Sequence, residues 1–498
     1  MSAVCAWPEV AIDAIERVTR DVLQRVGIKV LSAEASRLML AAGCRELGGA
    51  RLAVPWDAVL DAAASAPTSF TLMARDEAQR LLVSAVDSPT WFHPLGGAPY
   101  VCDVFTGEQR RATFADVAAA ARVQHHQRYP DLVGPLFMPD GVAGDLEPLI
   151  SYLLCLHESD RCVAGPGLWL PEQVRGLCEI ADIVLGDSRG EDRCAVNLAF
   201  SPLSPLTLGA TVADALVEAA RCGASCLILP CPVAGTTAPA PIAAAVAQQS
   251  AEALAGVVLA QAARRGTCVV CGSRLMPCDS RTGASLMGGP ELARAAQAAT
   301  LLCRRLGLPS DVYGLSTDSR ILDAQFGFER AIGGLLAVAT GPAFVSGMGF
   351  MQGGLGGSLE ALAIDDEIIR WIRWAVEDRP VDAQALSVDQ IEQGALSSAG
   401  FLGLRQTRSY MRSEKVQSDL AFRGTQEEWL AGGQGMLERA GRRVATALAH
   451  APRGLRDDLI DGADKVVSDS ACRLGVGEVP DVRRILDVGV SRAGASAI

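Results

Sequence analysis

From about residue 90 onward one pattern recurs along the chain: a short apolar run, a loop rich in Gly, Pro, Asp or Ser, then an Ala-rich or amphipathic stretch. Eight such runs begin near Thr90 (TWFHPLGG), Asp131 (DLVGPLFMP), Arg161 (RCVAGPGLW), Cys194 (CAVNLAFSP), Ser225 (SCLILPCPV), Gly266 (GTCVVCGS), Pro309 (PSDVYGLST) and Pro342 (PAFVSGMGF). Their starts lie about 30 to 43 residues apart, the length that a strand, a crossover helix and two loops consume in a βαβ unit. Eight parallel strands close a barrel, so the pattern predicts an α/β chain folded as a (β/α)8 TIM barrel. A doubly wound open sheet shares the local pattern. However, no G-x-G-x-x-G follows an early strand, and the glycines of 353–357 come after the last run.

The flanks read differently. Residues 10–26 place apolar side chains at helical spacing, Gly27 stops that helix, and Ser32 with Glu34 and Ala35 opens another. After the last run, 358–374 and 427–451 carry long amphipathic helical patterns, and 457–498 adds one or two helices before a Gly/Ala/Ser ending that frays from Val490. The expected organisation is a helical segment over 1–80, the barrel over 81–415 and a helical extension over 416–498. Two stretches, 222–251 and 331–359, hold no charged residue. Pro230, Pro232, Pro239 and Pro241 divide the first, and Gly341 with Pro342 splits the second, so both read as buried barrel elements and not as membrane spans.

Composition narrows the class of function. The chain has 498 residues, 49% of them hydrophobic, with 57 acidic against 45 basic side chains and a net charge of -12. No Lys/Arg-rich run offers a footprint for phosphate backbones, so nucleic acid is not an expected partner. The amino terminus has no basic region followed by an apolar stretch, which predicts a cytoplasmic protein. The 15 Cys are scattered in apolar surroundings, the usage of reduced core residues. Cys268 and Cys271 form a CxxC inside a predicted strand, where residues three apart face opposite sides and cannot chelate one ion, so no metal site is expected.

In such a barrel, substrate is handled at the carboxyl ends of the strands and in the loops that follow them. After the sixth run, SRLMPCDSRTG holds Asp279 and Arg281, a pair suited to a cation and a carboxylate, or to closing its own loop as a salt bridge. After the seventh, STDSRILDAQFGFER holds Asp318, Asp323, Gln325 and Glu329; Asp318 is equally a turn residue and Asp323 equally a helix cap. Only five His occur, and His93 alone lies at a predicted strand end. No Ser-His-Asp or Cys-His arrangement stands out. Aromatic residues Trp91, Phe92, Tyr100, Phe105, Trp169, Phe200, Tyr313 and Phe350 fall at the expected mouth, where a quaternary ammonium is held by ring faces and carboxylates; Phe105 and Phe200 suit core packing better.

The segments GGAPYVCDVFTGEQRRATFAD (96–116), SPLSPLTL (201–208), PCPVAGTTAPAP (230–241), GSRLMPCDSRTGA (272–284), STDSRILDAQFGFERA (316–331) and SLEALAIDDEI (358–368) together resemble the trimethylamine methyltransferase family, in the family's order and from about residue 12 to about residue 449. The resemblance implies a (β/α)8 barrel that moves a methyl group from trimethylamine or a betaine to the Co(I) of a separate corrinoid protein, with tetrahydrofolate as an alternative acceptor. It implies that the cobalt cofactor arrives with the partner and that no metal is held by the chain. The family's founding amine enzymes carry pyrrolysine. This chain has only standard residues and is similar to the branch acting on glycine betaine and related onium compounds. It departs from its relatives in AGFLGLRQTRSYMRSE, where Gly400 and Gln406 stand at places that relatives often fill with His.

Combining the strand-end rule with this resemblance, Asp318, Asp323 and Gln325 are expected to act on the substrate. His93, Gly96, Gly97, Tyr100, Trp169, Asp279, Arg281, Tyr313, Glu329 and Phe350 are expected to surround it. Rival readings are an onium-sensing barrel without turnover, and a lyase or hydrolase using Asp318 or Glu329 as base. A homodimer is expected on general grounds.

Overall fold

A computed structural model describes residues 7–86, 88–94, 96–140, 144–186, 192–377, 381 and 385–492. Seven parallel strands form one sheet: Trp91–Pro94, Ala164–Gly167, Asn197–Phe200, Ser225–Ile228, Val269–Ser273, Ser310–Tyr313 and Phe344–Met348. Each corresponds to one apolar run, and Phe344–Met348 pairs in parallel with Trp91–Pro94, bringing the last run beside the first. The run at Asp131 supplies the remaining position as an isolated parallel bridge between Val133 and Val163. The barrel is closed there by a few bonds: Asp131 N–H donates to Phe92 O at 2.8 Å, and Ala164 N–H to Val133 O at 2.7 Å.

That position is irregular because Pro130 and Pro135 have no N–H to give a ladder. Side chains replace the missing bonds. The buried Gln124 amide accepts from Gly134 N–H and donates to Gly134 O, both at 3.0 Å, while the Asp131 carboxylate accepts from Phe92 N–H at 2.8 Å.

A helix follows every barrel position: Phe114–His126, Glu147–Glu158, Pro171–Leu185, Ala210–Cys222, Ile242–Ala263, Pro290–Arg305, Ala324–Val338 and Leu359–Val376. Their starts obey capping chemistry, as where Ser358 accepts from Glu360 and Ala361 N–H and where Asp323 accepts from Phe326 N–H. Among the described residues one helix, Ile242–Ala263, is long and apolar enough to cross a membrane, and it is buried in the fold against the neighbouring barrel helices.

The amino-terminal region corrects the expectation of an all-helical segment. Helices Glu9–Asp21, Ala33–Ala41 and Trp56–Ser65 are interleaved with strands Ile28–Val30, Arg45–Gly48, Arg51–Ala53 and Ser69–Leu72. Ile28–Val30 joins Thr207–Leu208 in the loop after the fourth barrel position, and the hairpin of Ser69–Leu72 with Leu81–Ser84 plugs the amino-terminal mouth. There Phe70 and Val83 pack with Leu132, Leu227, Val270 and Phe344. At the other end of the chain, 427–451 is not one helix. Helix Gln426–Leu430 stops and Met436–Leu448 restarts across Gly432 and Gly433, followed by Asp457–Leu474 and Val482–Arg492. The first six residues and the ending after Arg492 lie outside the described residues.

Candidate active site

Above the apolar plug the barrel axis becomes polar. Asp311, fully buried in strand Ser310–Tyr313, accepts from Arg274 Nη2 at 2.8 Å and bonds His93 Nε2 at 3.0 Å through its other oxygen. Arg274, also buried, follows directly on strand Val269–Ser273; its Nη1 donates to Asp311 O at 3.0 Å, and its guanidinium lies over the Tyr313 ring at 4.4 Å. Asp311 and Tyr313 are two residues apart on one strand, hence on one face. His93 in turn meets Phe344 edge to face at 5.8 Å, which stacks the polar group on the plug.

These neighbours set the ionisation states. Burial alone raises the carboxyl of Asp311, but Arg274 and His93 outweigh it and hold the group at about 2. Burial pushes the Cys231 thiol, close to Arg274 and Ser201, up to about 11. Burial likewise raises Tyr313 above the usual phenol range. At neutral pH the group therefore carries one carboxylate and one guanidinium side by side, with a neutral thiol and a neutral phenol around them. The carboxylate is engaged on both oxygens, which leaves it no lone role as a base.

A second network lies in the loop after strand Ser310–Tyr313. Glu329 accepts from Thr317 Oγ1 at 2.5 Å, from Asp318 N–H at 3.0 Å and from Gln325 Nε2 at 2.9 Å. Asp318 accepts from the N–H groups of Met287 (2.9 Å) and Gly288 (3.0 Å), and so latches the loop after strand Val269–Ser273. That latch holds the Met287 side chain in a small apolar cluster with Tyr313 and Leu292. The two networks thus meet at the roof of the axis. Behind them, buried Arg330 ties the rim together, donating to Leu315 O (2.9 Å), Gly347 O (3.2 Å), Phe350 O and the Asp365 carboxylate (2.6 Å).

Of the residues expected to contact substrate, the structure brings His93 and Tyr313 together through Asp311 and Arg274, and joins Asp318, Gln325 and Glu329 through hydrogen bonds. Asp323 caps helix Ala324–Val338, accepting from Phe326 N–H, and bonds Ser319 at 2.9 Å. Asp318 is likewise committed to backbone N–H groups. Asp279 and Arg281 pair with each other at 2.9 Å in an exposed turn, the loop-closing alternative. Phe350 is buried and offers its carbonyl to Arg330. Tyr100 stands in strand Tyr100–Cys102 beside Gly356–Gly357 with Arg111 over its ring, and Trp169 donates to Asp145 at 3.3 Å. Gly97 adopts φ +108, and Gly96 packs close to Pro135 O, so both shape the first loop. Asp311 and Arg274 were not singled out by sequence; the available signal was a charge inside, or directly after, an otherwise apolar strand.

A closed eight-position α/β barrel with its polar groups gathered at the carboxyl ends of the strands defines a (β/α)8-barrel enzyme. The chain belongs to the trimethylamine methyltransferase family, whose model matches residues 3–463, and is a methyltransferase of that family. It is 30% identical over 447 residues to the glycine betaine methyltransferase of Desulfitobacterium hafniense, covering 88% of this chain and 91% of that one. It is 28% identical over 413 residues to the trimethylamine methyltransferase of Methanosarcina thermophila, covering 80% and 83%. The monomethylamine methyltransferase structure of Methanosarcina barkeri superposes over 94% of this chain and 93% of that one, with a TM-score of 0.49 and 12% identity.

Proposed function

We propose that this methyltransferase removes a methyl group from a small betaine-like quaternary ammonium compound in the cytoplasm and passes it to a corrinoid carried by a separate protein. The observation that carries the reading is the Asp311–Arg274 pair at the end of the barrel axis, opposite charges held side by side within reach of Tyr313. A zwitterion has the same two charges at a short fixed separation, and its onium end has no N–H to donate, so ring faces and carboxylates must hold it. The 30% identity to a glycine betaine methyltransferase over most of both chains supports the same substrate class.

The corrinoid supplies a strong nucleophile when its protein docks. The chain's own part is positional. Loss of a methyl from a cationic nitrogen leaves a neutral amine, so no proton has to be delivered, which agrees with a site whose carboxylate is already saturated and whose thiol and phenol stay protonated. Arg274 orients the carboxylate end, Tyr313 and the Met287 roof surround the methyls, and the Asp318 latch keeps that roof in place and water out.

Calorimetry tests this reading. Glycine betaine is expected to bind the wild type, and Arg274→Lys is expected to weaken it about tenfold while leaving choline, which lacks the carboxylate, unchanged. Equal loss for both ligands, or no binding of any betaine, contradicts it.

A further inference from the structure

The segment 385–413 is built unlike the rest of the chain. Helix Val388–Leu396 and helix Arg405–Ser413 each pack on the turn Phe401–Gly403 that joins them. Its root returns to the barrel where Trp374 Nε1 donates to Ser413 O at 3.5 Å. Within the first helix only Gly394 is buried, and the second has no buried residue at all. The apolar side chains point outward: Leu396 is 79% exposed and Leu402 72%, with Leu386, Val388 and Ile391 more than half exposed beside them.

Helices of nine residues are marginal in water by themselves, and ordered helices in folded chains owe their stability to burying an apolar face. Among its described residues this segment fully buries no large apolar side chain against its own chain. A run of exposed large aliphatic side chains on a projecting element is the composition of a permanent interface, in contrast to the more polar surface of partners that come and go. Charge points the same way. Helix Arg405–Ser413 carries Arg405, Arg408 and Arg412 with no acidic residue, and none of the three has a carboxylate partner among the described residues, on a chain whose net charge is -12. A basic element on an acidic body is complementary to another copy of that body.

We propose that 385–413 is an arm that docks on the body of a second copy of this chain, each protomer lending its arm to the other in a two-fold pair. A two-fold axis makes the exchange reciprocal and closes the assembly, so both exposed arms are covered at once.

Sedimentation of the full chain across ~0.5–50 µM tests this. The wild type is expected to be a dimer. Leu396→Asp with Leu402→Asp is expected to raise the dissociation constant about 100-fold, as loss of two central apolar contacts does, with an unchanged far-ultraviolet circular dichroism spectrum. Arg405→Glu with Arg408→Glu and Arg412→Glu is expected to weaken the pair in a manner that added salt diminishes. Hydrogen exchange gives a readout free of substitutions: amides of 388–413 gain protection as wild-type concentration rises. A wild type that stays monomeric, an assembly indifferent to both sets of substitutions, or arm protection acquired only on adding a different protein overturns the proposal.

Discussion

Replacing Asp311 by Asn probes the polar group at the axis with almost no change in volume, so the response reports charge and not cavity formation. In the wild type, Asp311 and Arg274 are both buried, with Oδ1 to Nη2 at 2.8 Å and His93 on the second oxygen at 3.0 Å. Asn leaves the guanidinium in the interior without a counter-charge. Truncating one side of a buried ion pair costs roughly 3–5 kcal/mol. Linkage gives an independent figure. With the folded carboxyl at about 2 and its ordinary value at 3.8, the difference at 1.36 kcal/mol per unit amounts to roughly 2 kcal/mol. Asp311→Asn is therefore expected to lower the unfolding free energy by about 2–5 kcal/mol in urea titrations followed by Trp fluorescence, with an unchanged slope. Adding Arg274→Met, which removes the stranded charge, is expected to recover a large part of the loss. Because the folded value is depressed, the wild-type contribution is complete above about pH 4 and disappears as pH falls from about 4 to about 2; Asp311→Asn removes that dependence. A single variant within ~1 kcal/mol of wild type, or a double variant no more stable than the single, refutes the reasoning.

Asp318→Ala frees the buried N–H groups of Met287 and Gly288, so loosening of the roof is expected to raise KM, to speed proteolysis within 280–290 and to lower urea stability by about 1–3 kcal/mol. Gly347 sits at φ +121 with the Leu315 carbonyl where a Cβ would be; Gly347→Ala is expected to cost about 2–4 kcal/mol in the same titration. Burial raises the Asp365 carboxyl to about 6 despite Arg330, so its protonation favours the fold most below about pH 4, and this contribution is lost as pH rises through 6. Stability measured from pH 4 to 7 is expected to lose that slope in Asp365→Asn.

The barrel was legible because each strand is a short apolar run bounded by Gly or Pro, a signal that survives without knowledge of partners. Seven runs became strands, and the eighth became a bridge because its prolines remove donors that Gln124 and Asp131 replace, a substitution visible only in three dimensions. The short strands Ile28–Val30 and Arg45–Gly48 were missed; the first alternates apolar and polar positions for only three residues, too short a run to stand out, and the second is fully exposed and carries no such alternation. At the site, the strand-end rule located the loops but not where side chains point. Asp323 turns to the Phe326 N–H and Asp279 to Arg281, as a short carboxylate does readily in a turn, while Asp318 reaches across to the N–H groups of Met287 and Gly288 in the preceding loop. Asp311 escaped notice because a carboxylate in mid-strand reads as an interruption until its two partners, 37 and 218 residues away in sequence, are seen around it.

The central claim is most directly tested by incubating the purified chain with glycine betaine bearing a deuterated methyl group and a reduced corrinoid protein, with mass spectrometry of both products. The account predicts dimethylglycine in step with label recovered in the corrinoid fraction, and no turnover when the corrinoid protein is omitted or replaced by tetrahydrofolate. No demethylated product from a broad panel of betaines, or label passing to tetrahydrofolate alone, contradicts it.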